Sequence, residues 1–199
     1  MASPRILVIP GSARAHSHNA RLAAIAAKEL MLADADVTRI SLQDYPLPIY
    51  DADLAEKSGP PHNAIRLKQA LGAHHGVFIA SPEYNASIPP LLKNAIDWVS
   101  VVRERNEPPL IAFQNRVFAL GGISPRATGA LHGLLALRQV LAVGCRALVL
   151  AEQVSVANAE HAFDEMDALR DPAAAAQLKA LVRKLVETAR LMVGGQLLV

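Results

Sequence analysis

The chain has 199 residues, with 20 Lys and Arg against 18 Asp and Glu for a net charge of +2, a 52% apolar content, 13 Pro, 11 Gly and one Cys. Roughly 70% of the surface of an unfolded chain of this length is buried on folding, so disordered, collagen-like and coiled-coil readings fit poorly. No Lys/Arg cluster marks a nucleic-acid partner, a lone cysteine makes neither an internal disulfide nor a thiolate metal site, and nothing approaches the ~20 apolar residues that span a bilayer.

At about 150 residues per domain, residues 1–199 are expected to form one domain. The first apolar run, Ile6 to Ile9, falls short of a signal-peptide core of about 7–15 residues, so a cytoplasmic location is expected. That run is also the first predicted strand. Val37–Leu42, Val77–Ser81, Val117–Gly121 and Ala147–Leu150 follow it. Each is nearly continuous rather than alternating, as in parallel strands covered on both faces.

Helical patterns separate the strands. Asn19 to Ala33 sets Leu22, Ile25, Ala26 and Leu30 on one face. Asn63 to Leu71 is a shorter helix. Leu91, Leu92, Ala95, Ile96 and Val99 form a stripe opposite Lys93, Asn94 and Asp97. Gly129 to Val143 is a helix with Gly144 as its C-cap. A last helix follows Pro172, with Leu178, Leu181, Val182, Leu185 and Met192 as its stripe. Two long loops remain, Gln43 to Pro61 and Glu104 to Arg116. The apolar tail Leu191 to Val199 is either a subunit contact or a helix end on its own core. The alternation of strand and helix predicts a doubly wound, five-stranded parallel sheet with helices on both faces.

Open sheets of this kind bind ligands beyond the C-terminal strand ends. Three loops lie there. Pro10 to Asn19 carries Gly11, Ser12, Arg14, Ser17 and Asn19 between a strand and a helix start. Either the hydroxyls, an amide and helix N-terminal N–H groups form an anion cradle in which Arg14 can pair bidentately with a phosphate, or this is an ordinary capped helix with a solvated Arg14. With no G-x-G-x-x-G and no P-loop Lys-Ser/Thr, the loop suits a monophosphate better than a pyrophosphate. Ser81 to Pro90 offers backbone donors, an amide and a ring at Pro82 to Asn85. These suit a flat heteroaromatic ligand, or else form a rigid turn in which Tyr84 covers the core edge, with Ser87 as N-cap of the next helix. Gly121 to Gly129 has glycines that can admit a ligand close to the backbone, or is a plain strand-to-helix loop.

Other residues carry less. Arg126 and Glu152 are placed at one sheet edge, either paired or solvated. Cys145 reads as a buried structural thiol, and His74–His75 as a helix end suited to the C-terminal dipole. His16 and His18 flank the first loop, as solvated positions or as assistants to it. Trp98 is a subunit contact or core. Asp44 reads as a loop residue, and Tyr45 to Asp51 as a packed loop bordering the site, from which Tyr50 could meet a neighbouring subunit.

Together the motifs Gly11-Ser-x-Arg-x-x-Ser-x-Asn19, Pro82-Glu-Tyr-Asn-x-Ser-x-Pro89 and Leu92-Lys-Asn-Ala-Ile-Asp-Trp98 resemble the NADPH-dependent FMN reductase family. The match runs from the first strand to the helix after Gly129. The resemblance implies a flavodoxin-like sheet and assembly into homo-dimers or homo-tetramers. It implies that Ser12, Arg14, Ser17 and Asn19 hold the FMN phosphate. Pro82, Glu83, Tyr84 and Asn85 line the isoalloxazine, largely through backbone N–H groups, with Ser87 beside it and Ser124 approaching from the third loop. That loop departs from the family's Gly-rich form at Pro125-Arg126-Ala127-Thr128.

The implied activity is hydride transfer from NADPH or NADH through FMN to a small acceptor (quinone, chromate, azo compound or free flavin), with ping-pong kinetics. No protein nucleophile, general base or metal is required, and Tyr84 is placed at the substrate face. The alternative is a flavodoxin-type carrier serving protein partners, against which the +2 charge counts. A flavin-less scaffold conflicts with the intact phosphate set. A hydrolase using Ser12 or Ser87 lacks the G-x-S-x-G elbow.

Overall fold

The computed structural model describes residues 3–14 and 16–194. Ala15 of the first loop and residues 195–199 of the apolar tail lie outside the described residues. Five strands form one parallel sheet: β1 (Arg5–Pro10), β2 (Asp36–Arg39), β3 (Gly76–Ala80), β4 (Val117–Ile123) and β5 (Leu148–Val156). Their spatial order is β2-β1-β3-β4-β5, the flavodoxin-like order. Among the described residues six α-helices accompany them: α1 (His18–Leu32), α2 (Ala52–Ser58), α3 (His62–Gly72), α4 (Pro90–Val101), α5 (Leu131–Gln139) and α6 (Pro172–Gly194).

Alternating side chains feed two cores. Ile6 and Val8 of β1 pack with Leu22, Ala26 and Leu30 of α1 and with Leu178, Leu181, Val182 and Leu185 of α6. Leu7 and Ile9 pack on the other face with Leu67 and Leu71 of α3, Leu92, Ile96 and Val99 of α4, and Leu134 and Leu137 of α5. Covering both faces explains why the central strands read as unbroken apolar runs. The predicted α6 stripe is buried as far as Leu185, while Met192 is half-buried. No described helix is long and apolar enough to cross a membrane.

Several boundaries differ from the sequence expectation. The second strand stops at Arg39 rather than Leu42, because Ser41 Oγ accepts from Gln43 N at 3.2 Å and opens a short 3₁₀ turn over Leu42–Asp44. The loop Gln43–Pro61 contains α2, capped by Asp51 Oδ1, which accepts from Leu54 N at 3.0 Å. That helix buries no residue and so has no apolar stripe to betray it. The last strand runs on to Val156, because it is an edge strand with polar residues and an irregularity. Its register shifts from Phe118↔Val149 to Leu120↔Gln153. Glu152 therefore sits inside β5 rather than beyond it, and it makes no ion pair with Arg126 among the described residues. The α5 segment begins at Leu131 and passes into a π-helical turn over Val140–Gly144, with Cys145 at its end. Cys145 is buried, and burial pushes its thiol up to about 11.

Trp98 is core. Its ring is fully buried, Nε1 donates to Pro48 O at 2.7 Å, and Tyr50 meets it edge-on at 5.1 Å. Asn94 adds two more ties, accepting from Tyr50 N at 2.7 Å and donating to Pro48 O at 2.9 Å. These bonds clamp the Pro-rich loop onto α4.

Candidate active site

Strands β1 and β3 are neighbours, but the chain leaves β1 toward β2 on one side and leaves β3 toward β4 on the other. The two loops diverge above the sheet and leave a crevice, which is where open α/β sheets bind ligands.

The first loop forms one wall. Gly11 N donates to Ala80 O at 2.8 Å, and a Cβ on Gly11 would sit 3.1 Å from Leu92 Cδ2 and 3.4 Å from Ser81 Cα. Ser12 Oγ accepts from Arg14 N at 3.2 Å, and Ser17 Oγ accepts from Ala20 N at 3.1 Å as the cap of α1. Each hydroxyl keeps its O–H free to donate. The N-terminus of α1 adds its own amides and dipole. Beside this loop lies a cleft of about 370 Å3 lined by Ser12, Arg14, His16 and Ala20, and by Arg39, Ser41, Gln43 and Asp44. Gln43 Nε2 donates to Ala13 O and ties the two segments together.

Asn19 has a different place from the one the resemblance implies. It is 3% exposed; Nδ2 donates to Ile123 O at 2.9 Å and Oδ1 accepts from Ile123 N at 3.0 Å. Its amide braces the end of β4 instead of facing the cleft. His18 stacks on Phe163 at 6.2 Å, and its buried Nδ1 has no partner among the described residues. Burial lowers its pKa, with Arg21 and Arg14 acting in the same direction. His16 is exposed, with a left-handed φ of 54°.

The second loop is a tight turn. Tyr84 N donates to Ser87 O and Ser87 N donates to Tyr84 O, both at 3.0 Å. Asn85 (φ 50°) and Ala86 (φ 59°) are both left-handed, as a type I′ turn requires. Ser87 is therefore a turn residue and not the N-cap of α4. That place falls to Pro89, with Pro90 opening the helix. Tyr84 is 48% exposed, and Asn85 and Ser87 are exposed. Pro82 is buried. The amides of Glu83 and Asn85 have no protein partner among the described residues.

The third loop is built on protein contacts. A Cβ on Gly122 would lie 2.4 Å from Ser81 O and 2.7 Å from Ala130 Cβ, and one on Gly121 would lie 2.8 Å from Phe78 Cζ. The space these glycines free is thus filled by the chain itself rather than left for a ligand. Ser124 is 3% exposed, with Oγ 3.4 Å from Arg126 N, while Pro125 to Thr128 are exposed. Ser155 of β5 fixes this loop: its Oγ accepts from Ala130 N at 2.9 Å and donates to Thr128 O at 3.2 Å.

A monoester phosphate fits the cleft. Arg14, Arg39 and the Ser12 hydroxyl line it together with Asp44, the Ser17-capped N-terminus of α1 lies beside it, and unpaired amides lie on the neighbouring loop. Residues 4–161 match a family model described as NADPH-dependent FMN reductase. The chain belongs to this family. It is 30% identical over 168 residues to an NAD(P)H-dependent FMN reductase of Pseudomonas aeruginosa, covering 84% of this chain and 85% of that one. It is 37% identical over 97 residues to a quinone reductase of Escherichia coli, covering 48% and 50%. Among solved structures, the NAD(P)H:(acceptor) oxidoreductase FerB of Paracoccus denitrificans is similar with a TM-score of 0.75 and 25% identity, over 94% of this chain and 97% of that one. This family member is thus a flavodoxin-like oxidoreductase that works with FMN and a nicotinamide nucleotide.

Two lining residues of this reductase escape a motif reading. Arg39 ends the edge strand β2, and Gln43 sits in the turn after it. The only sequence signal for either was its place just beyond a strand at the ligand-binding edge.

Proposed function

We propose that this reductase holds FMN across the β1–β3 crevice and passes reducing equivalents from NAD(P)H to a small acceptor of the quinone class. The observation that carries this reading is the convergence of Ser12, Arg14 and Arg39 on one cleft beside the Ser17-capped start of α1. Arg14 and Arg39 would hold the phosphate, with the Ser12 and Ser17 hydroxyls donating to it. Asn19 would act through Ile123, fixing the third loop against the first. The backbone of Pro82 to Asn85 would run along the isoalloxazine, its free donors being the amides of Glu83 and Asn85, with Ser87 and Ser124 at the ring's flanks. The half-exposed Tyr84 would face the substrate.

When bound, FMN supplies the hydride acceptor and the electron donor. What the chain supplies is orientation and donors placed where negative charge develops. In this reading both substrates meet one open face in turn, which gives ping-pong kinetics. Residues 1–199 act as one FMN-binding unit, assembled as a homo-dimer or homo-tetramer in the cytoplasm. The quinone assignment is supported by the Escherichia coli relative, which aligns over half of each chain.

An anaerobic absorption titration of the FMN-loaded protein with NADPH, then NADH, tests the proposal. Rapid bleaching of the flavin band, with reoxidation by a quinone, is the expected result. Bound flavin that neither nucleotide bleaches would indicate an electron carrier instead. Failure to bind FMN would overturn the site.

A further inference from the structure

An acid in a loop that lines a ring gathering negative charge is electrostatically misplaced unless its side chain turns away. Glu83 turns away. Its side chain has no exposed surface and runs to the N-terminus of α5. Oε2 accepts from Gly133 N at 2.9 Å, and Oε1 lies 3.7 Å from His132 Nδ1 without a hydrogen bond. The helix needs this contact. Its own N-cap, Ala130, offers no side-chain acceptor, so the first-turn amides of α5 must find partners elsewhere. Ser155 takes the Ala130 amide and Glu83 takes that of Gly133. A carboxylate at this end of a helix also meets the positive pole of the dipole.

Gly133 completes the fit. A Cβ there would lie 3.2 Å from both Cα and Cβ of Glu83 and 3.2 Å from Ser87 O. The missing side chain lets the whole turn from Glu83 to Ser87 sit directly on the helix.

We infer that Glu83 is a positioning residue: its buried carboxylate caps α5 from outside the helix and so fixes the backbone of residues 82–87 in the shape that receives the flavin ring. The inference rests on the reading in which that segment lines the ring. The lock itself exists whether or not FMN binds, so the two are separable.

The test compares the wild type with Glu83→Ala, Glu83→Gln and Gly133→Ala. Two readouts are taken: amide hydrogen exchange of the 82–87 segment and of Gly133 in the FMN-free protein, and FMN dissociation constants from flavin fluorescence. For Glu83→Ala, loss of the bond is expected to speed exchange at both places and weaken FMN binding, each by about tenfold. Glu83→Gln keeps an acceptor oxygen and the shape, and should hold both values within about threefold of wild type. Should Glu83→Ala fail to fold, Gly133→Ala keeps the acid but displaces the turn, and faster exchange at 82–87 with weaker FMN binding is again expected. Wild-type exchange and wild-type FMN affinity in whichever of these two variants folds would overturn the inference. Faster exchange in a protein whose wild type binds no FMN would keep the lock and defeat the flavin site instead.

Discussion

Asn19 and Ile123 lie 104 residues apart and exchange two hydrogen bonds, Nδ2 to the carbonyl at 2.9 Å and the amide to Oδ1 at 3.0 Å. One side chain thus stands in for a strand neighbour at the end of β4 and ties α1, with the Ser12–Ser17 loop before it, to the third loop. Asn19→Ala leaves a buried amide and a buried carbonyl unpaired. Each unpaired group costs about 1–3 kcal/mol, so a loss of about 2–6 kcal/mol is expected. Urea unfolding followed by circular dichroism measures it. Asn19→Asp should fare no better, because a carboxylate would face the Ile123 carbonyl.

Arg14 lines the cleft beside the cap of α1. Charge-assisted hydrogen bonds contribute about 1.5–3 kcal/mol, so Arg14→Ala is expected to weaken FMN binding by roughly 10- to 100-fold. Arg39→Ala should weaken it in the same direction. Both leave the fold intact, since Arg14 and Arg39 are exposed. Fluorescence titration checks the two values, and an unchanged affinity in Arg14→Ala removes that residue from the phosphate site.

Gly122 has no room for a side chain, with Ser81 O 2.4 Å from where a Cβ would stand. Ser81 O is backbone and cannot rotate aside. Gly122→Ala must therefore push β3 and β4 apart where the second and third loops begin, at a cost of about 3 kcal/mol. A lowered thermal midpoint, with weaker FMN binding in whatever folds, is the expected outcome.

His75 gives a pH dependence with a definite sign. Its Nδ1 accepts from Arg5 N at 3.0 Å, which requires the neutral ring. Burial lowers its pKa, and Arg5, His74 and Arg116 lower it further. The unfolded imidazole titrates near 6.5, so between that value and the lower folded one only the unfolded chain takes the proton. The stabilisation is whole above about pH 6.5 and is lost as pH falls through the folded value. Denaturant midpoints between about pH 8 and pH 5 should fall on acidification, and less so in His75→Gln. An NMR titration placing His75 above the unfolded value would contradict the assignment.

Much of the chemistry was readable along the chain because it is local. A continuous apolar run signals a strand buried on both faces, as Ile6 to Ile9 shows. A 3.6-residue stripe signals a helix, as Leu92 to Val99 shows. Ser12, Arg14 and Ser17 belong to one loop, and each of the three motifs that carry the family resemblance is itself a short local run. Features without local apolar contrast were hidden: α2 buries nothing, and β5 mixes Glu152, Gln153 and Ser155 into its edge.

By itself the sequence determined the fold class and grouped Ser12, Arg14 and Ser17 in the loop after the first strand, because each follows from the spacing of neighbours a few residues apart. Only the tertiary structure decided that Asn19 braces Ile123, that Arg39 joins Arg14, that Glu83 turns from the site toward Gly133, and that Gly122 serves close packing. Those pairings depend on strand order and register. Bringing together residues as far apart as 19 and 123 is set by how the whole core packs, and no short-range periodicity encodes it.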